Sequence, residues 1–286
     1  MNGEGITKFL KKLSFIDEVL HSSNFFQDLS LLNPDIFISI QRSSSFFKEL
    51  KKLKLKKCIV NPHFISLISS YFTTPFPYFR SKKHMSKIAL KLVRAINTKH
   101  YDKNILKIDF SKVKDFLPND DSLSKNFLKN LKYEKIIAIN PFSNNSEYRG
   151  VNFFIKDWLN LARNLAKNHR NFLFILLNFD INPIQINIKE SNLKIFVNND
   201  NIASLVSISK KIDFFISVDT GNVHLCDILQ IPSLVFISKL AAFRFSGGSY
   251  KGKYDSLVVD KGWQKNYRKV FNTFSQKAFL QIKNLN

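Results

Sequence analysis

Eight glycines, eight prolines and two cysteines in 286 residues exclude several classes of protein at once. So few glycines and prolines rule out a collagen-like or low-complexity chain. Two cysteines cannot build a disulfide framework; Cys58 beside Ile59-Val60 and Cys226 beside Leu225 read as small buried thiols. The six histidines, His21, His63, His84, His100, His169 and His224, are scattered with no HxxxH or CxxC partner, so zinc chemistry has no support and no metal or other cofactor is expected. No apolar run approaches the roughly 18 to 20 residues of a membrane span. Met1-Asn2-Gly3-Glu4-Gly5, followed by a lysine-interrupted helix, does not resemble a signal peptide, and the expectation is a cytoplasmic protein, peripheral on the inner membrane at most.

Acidic residues are also scarce: 22 Asp and Glu face 44 Lys and Arg, for a formal charge of +22. Part of this is compositional, because Lys, Asn, Ile and Phe are abundant together, as an AT-rich genome produces. The rest suits an acidic substrate or an anionic membrane surface, whose pull on each nearby cation is about 1 kcal/mol and fades within a Debye length. Nucleic acid fits less well. In the basic run 48–57 the leucines recur at helical spacing and the lysines fill the opposite face, which is a solvated surface helix, and no nucleic-acid-binding motif accompanies it, so no specific nucleic-acid partner is expected.

What the chain does contain, at 44% hydrophobic residues, is enough apolar material for two cores. In the first half Asp35–Ile40 and Lys57–Val60 read as strands, Met85–Ile96 as a helix, and 75–83 as a Pro- and aromatic-rich loop. The polar stretch Pro118–Ser122, with a short helix ending near Lys132, is the expected linker. Beyond it, strands are expected at 135–140, 172–177, 193–197, 213–218, 233–237 and 256–259, and helices near 155–167, 201–210, 223–229 and 267–282. Short apolar strands alternating with helices predict an α/β protein with parallel, doubly wound sheets. The expected domains are an N-terminal Rossmann-like domain over 1–117, a linker over 118–134, a C-terminal domain over 135–265 and a closing helix over 266–286.

Three loops of the second half are expected at the carboxyl edge of its sheet: 140–149, with Ser143 and Arg149; Asp219-Thr220-Gly221-Asn222; and 238–248. A glycine there admits a ligand close to the backbone, a threonine hydroxyl can donate to a phosphate oxygen, and a helix start offers free N–H groups. Asp219 alone reads as a helix cap and His224 alone as a packed histidine. The strand-loop-helix setting turns the group toward binding an anion.

The segment Phe214–Pro232 resembles the strand, D-T-G-x-x-H motif and helix of glycosyltransferase family 9, the lipopolysaccharide heptosyltransferases. Phe15–Leu20, Asn33–Ile38 and Ile139–Phe142 follow the order of that family. The resemblance implies a GT-B fold, two Rossmann-like domains facing across a cleft, with the first on the acceptor side and the second holding a nucleotide-sugar. It implies transfer of a heptose or related sugar from an ADP-linked donor to the lipopolysaccharide core, without a metal. Thr220 and Gly221 would contact the donor diphosphate, Arg149 would supply the assisting cation, Asp219, Asn222 and Ser143 would complete the donor site, and His224 would support it. The family's base is an Asp after an N-terminal apolar strand and a G-D loop. Here Glu4, Asp17 and Glu18 are the only early carboxylates and none follows such a strand. The expectation is that the first βα unit is missing, that the base falls before residue 1, and that the alternative to a transferase is a shortened homologue that binds a nucleotide-sugar or a partner without efficient transfer.

Overall fold

The computed structural model describes residues 3–20, 22–77, 84–143, 146, 148–178, 184, 188–198, 201–250 and 252–285. The chain divides into two compact units: Glu18–Asp109 with Phe243–Ser246, and Met1–Asp17 with Phe110–Ala242 and Gly247–Asn286. Helix α1 (Gly3–Leu10) belongs to the larger one.

The smaller unit contains α2 (Phe25–Leu32), β1 (Phe37–Ser39), α3 (Ser44–Lys52), β2 (Cys58–Val60), α4 (Phe64–Leu67), β3 (Phe72–Thr73), α5 (Met85–Arg94) and α6 (Thr98–Asn104). Its three strands are parallel in the order β1-β2-β3. Alternation along β2 sends Cys58 and Val60 into one layer with Phe47, Leu50 and Phe72, and Ile59 into the other with Phe76, Ile88 and Leu92. Both expected strands are present but shortened to three residues. The basic run 48–57 is helical only through Lys52: Phe47 and Leu50 face the core, then Lys54 takes a left-handed φ of 52° and the chain turns into β2. Of the aromatic loop at 75–83, residues 78–83 lie outside the described residues.

The larger unit adds α7 (Asp121–Leu128), β4 (Lys135–Asn140), α8 (Ile155–Asn168), β5 (Phe172–Asn178), β6 (Leu193–Val197), α9 (Ile202–Ser209), β7 (Phe214–Val218), α10 (Gly221–Ile228), β8 (Ser233–Ser238), the start of α11 (Lys239–Phe245), β9 (Tyr254–Val259) and α12 (Tyr267–Lys283). Its six strands are all parallel, ordered β6-β5-β4-β7-β8-β9. Numbered within the sheet this is 3-2-1-4-5-6, the doubly wound order, whose direction of winding reverses between β4 and β7. Ile137 and Ile139 face the layer of α8 and α12, Ile136 and Ala138 the layer of α9 and α10.

Helix α7, within the expected linker 118–134, packs on α9: the Ser207 hydroxyl donates to Asp121 Oδ1 (2.8 Å) and Asp120 N–H to the Ala203 carbonyl (3.1 Å). The C-terminal helix α12 likewise joins the core, burying Phe274, Ala278 and Ile282. The Tyr267 hydroxyl pins its start by donating to buried Asp157 (2.6 Å) and accepting from Phe154 N–H (2.8 Å).

Candidate functional site at the switch point

Strands β4 and β7 lie side by side, Asn140 opposite Ser217, and each ends in a polar loop. Asn140 ends β4 after four apolar residues, Ile136 to Ile139, and is fully buried. Its Nδ2 donates to the Phe142 carbonyl (3.2 Å) and the Ser217 hydroxyl (3.3 Å), while its Oδ1 has no partner among the described residues. Leaving β7, the chain passes through Asp219 and extended Thr220, and α10 begins at Gly221.

Helix α10 thus starts two residues earlier than the expected 223, which moves Gly221 and Asn222 into its first turn. The Thr220 side chain makes no capping bond to that turn, where among the described residues Val223 N–H donates to the Thr220 carbonyl (3.1 Å). The positive end of the helix dipole and the amides of Gly221 and Asn222 therefore receive no side-chain cap from Thr220. Among the described residues, a Cβ placed on Gly221 would meet no atom within 4 Å beyond its chain neighbours and its own helix backbone, so the space over the backbone is open. Beside it, Asn222 is buried and its Nδ2 has no partner among the described residues. An open approach, an uncapped turn and an orphaned donor all favour an anion.

The loop after β4 is fastened to the loop after β7. The Ser146 hydroxyl donates to the Asp219 carbonyl (2.8 Å), the Ser143 hydroxyl accepts from Ser146 N–H (3.3 Å), and Arg149 Nη1 stands 3.8 Å from Asp219 Oδ2. Gly150 follows at a left-handed φ of 63°, and its carbonyl accepts from Trp263 Nε1 (3.0 Å) and Gln264 Nε2 (2.6 Å). This fixes the arginine-bearing turn to the segment before α12. Asn144, Asn145 and Glu147 lie outside the described residues.

Burial pushes the Asp219 carboxyl above the usual carboxylate range, and the charges of His224 and Arg149 offset part of that rise. A raised folded pKa means that the native state holds the proton more tightly than the unfolded chain. The ionised group then costs stability above its folded pKa, and the cost vanishes as pH falls below the unfolded-chain value of about 3.9. Asp219→Asn is accordingly expected to raise Tm near about pH 7 and to converge with the wild type toward about pH 3. Thermal melts across pH test this; a variant that melts lower at neutral pH would mean that the ion pair with Arg149 outweighs desolvation.

All seven residues singled out by the sequence, Ser143, Arg149, Asp219, Thr220, Gly221, Asn222 and His224, lie on these two loops and the first turns of α10. The third loop departs from expectation. Residues 239–245 form α11 directly after β8, with the Ser238 hydroxyl accepting from Ala241 N–H (3.2 Å), because a short apolar run in Lys239–Phe245 supports a helix where an open loop was expected. Sequence reasoning left out Ser146 and Asn140; an asparagine closing an apolar strand just before a proline was the available signal. It also left out Asp227 on α10, buried and accepting from Ser249 N–H (2.9 Å), which ties the helix to the segment before β9.

The winding order defines a doubly wound α/β protein, with a helix start that lacks a side-chain cap at its switch point. No protein-family model and no curated protein matches the chain. Solved structures do. ADP-heptose lipopolysaccharide heptosyltransferase II of E. coli superposes with a TM-score of 0.60 at 10% identity, over 96% of this chain and 88% of that one. A glycosyltransferase family 9 structure from Veillonella parvula gives 0.59 at 10% identity, over 93% and 78%. E. coli heptosyltransferase WaaC with ADP gives 0.57 at 13% identity, over 96% and 87%. What the chain shares with them at this identity is the fold, the same α/β architecture that the sequence resemblance implied.

Proposed function

We propose that the protein is a glycosyltransferase that takes a heptose or related sugar from an ADP-linked donor and transfers it to the lipopolysaccharide core. The observation that carries this reading is the uncapped first turn of α10, with its open Gly221 backbone and the orphaned Asn222 amide, at the switch point of a doubly wound sheet. A diphosphate supplies what that turn lacks: acceptor oxygens for the free amides and Asn222 Nδ2, and negative charge for a helix end carrying roughly half a unit of positive charge. The fold shared with structures named as heptosyltransferases, one of them with ADP, points the same way.

In this reading the Thr220 hydroxyl donates to a phosphate oxygen, and Arg149 and the helix end stabilise the charge that grows on the departing ADP as the glycosidic bond breaks. Asp219 orients the Arg149 guanidinium and His224 supports the loop. The smaller unit carries the acceptor. No residue is assigned as the base that removes the acceptor proton.

The test is thermal stabilisation by ADP. Saturation at about a hundred times Kd adds about 2.7 kcal/mol to stability, a clear rise in Tm. Thr220→Val, close in volume but without the hydroxyl donor, is expected to abolish most of that rise while leaving the unliganded stability within about 0.5 kcal/mol of the wild type. No rise with millimolar ADP or ADP-heptose in the wild type would sink the donor assignment. A rise without sugar transfer to a defined core acceptor would reduce the reading to donor binding.

A further inference from the structure

Helix α4 packs Ile65 against the core and leaves the apolar residues on its other side to solvent. Phe64, Leu67 and Ile68, spaced i, i+3, i+4, share one side of the turn and are 68%, 47% and 71% exposed. Ser66, between them, is buried, and its hydroxyl accepts from His63 N–H (2.8 Å), which fixes the orientation of the helix. Ile40, the residue that directly follows β1, is 50% exposed. The exits of β1 and β2 are joined there by Asn61 Nδ2 donating to the Ile40 carbonyl (3.2 Å) and Arg42 Nε donating to the Pro62 carbonyl (3.1 Å). The four residues therefore follow the carboxyl ends of β1 and β2, at the edge where open α/β sheets meet their ligands.

Single exposed hydrophobics are ordinary, but a group on one side of one helix is not. Its surroundings are cationic. Helix α3, packed against α4, carries exposed Lys48, Lys51 and Lys52 against one Glu49, and residues 18–109 hold sixteen Lys and Arg to six Asp and Glu, a net of +10. A second copy of the chain would bring an equally cationic unit against this face. Nucleic acid would meet the lysines but has no use for three adjacent aliphatic and aromatic side chains. An anionic lipid surface answers both features, since it accepts apolar side chains at the boundary of headgroups and acyl chains and attracts the lysines beside them.

We propose that the α4 face, Phe64, Leu67 and Ile68 with Ile40, docks the smaller unit onto an anionic phospholipid bilayer. The proposal does not depend on the donor site, which lies in the larger unit. It turns the carboxyl edge of the small sheet toward the lipid, where a membrane-held acceptor would be met.

Co-sedimentation of the full chain with phosphatidylglycerol-containing vesicles tests it, with pure phosphatidylcholine vesicles as the neutral comparison. Wild type is expected to partition onto the anionic vesicles and to weaken as salt shortens the Debye length. The double variant Phe64→Ser with Ile68→Ser is expected to lose at least about ten-fold in partitioning, and Lys48→Glu with Lys51→Glu to lose binding by charge alone. Leu280→Ser, an equally exposed apolar position on α12, is expected to bind as wild type. Unchanged Tm and an unchanged ADP shift in the double variant separate a loss of docking from misfolding and from failure of the donor reading. Equal partitioning of the double variant and wild type overturns the proposal, as does indifference to lipid charge. A wild-type dimer that Phe64→Ser dissociates would overturn it too, by giving the face to a second copy.

Discussion

Phe153→Ala is expected to destabilise the larger unit by about 3–5 kcal/mol, the cost of emptying a buried phenylalanine site. Phe153 enters the core from the loop between β4 and α8 and is almost fully buried. Its ring stacks on Phe236 of β8 with centroids 4.1 Å apart and meets Trp158, Trp263, Tyr267, Phe271 and Phe274 at 5.2–5.8 Å. One side chain thus joins the sheet, α8 and α12. The neighbours are large, rigid rings that cannot flow into the void, so little of the cavity closes. The midpoint of thermal unfolding should fall on the order of 10 °C for a unit of this size. Phe154→Ala, one residue on and mostly exposed, should cost far less, and similar losses in the two variants would contradict the central role of Phe153.

That cluster also marks where reading the sequence stopped. The strands of the larger unit were legible because each is a short apolar run bounded by polar residues, and the parallel order followed from the helices between them. Phe153 carried no such signal: Val151-Asn152-Phe153-Phe154 has no clear period, and only the tertiary fold distinguishes the inward Phe153 from the outward Phe154. The small sheet was harder for a related reason. Strands of two or three residues, such as β3 at Phe72-Thr73, are too short to show alternation, and their stability comes from the helices laid across them. At the site, Asp219, Thr220 and Gly221 stood out because a polar triplet interrupts apolar sequence. The Ser146 link did not, since a serine within a polar loop looks like any other until the Asp219 carbonyl is placed 2.8 Å from it.

Asn222→Leu is expected to change two measurements in opposite directions. Leaving a buried N–H unpartnered costs about 1–3 kcal/mol, a penalty that a leucine of similar shape removes. If Asn222 Nδ2 is held in reserve for a ligand, the unliganded variant should be as stable as wild type or more so, by about 1 kcal/mol. ADP binding should weaken at the same time. A hydrogen bond to a charged group contributes about 1.5–3 kcal/mol, so Kd should rise by about ten-fold or more. Chemical unfolding without ligand and calorimetric titration with ADP read the two effects separately. An asparagine with a purely structural role behaves otherwise: its replacement lowers the stability of the free protein and leaves ADP affinity alone. Asn140 offers the internal comparison, because its amide already donates to Phe142 and Ser217 and only its Oδ1 is orphaned. Asn140→Leu breaks those two bonds and should destabilise the unliganded protein, so the opposed signature belongs to Asn222, the residue whose orphaned donor stands beside the uncapped turn.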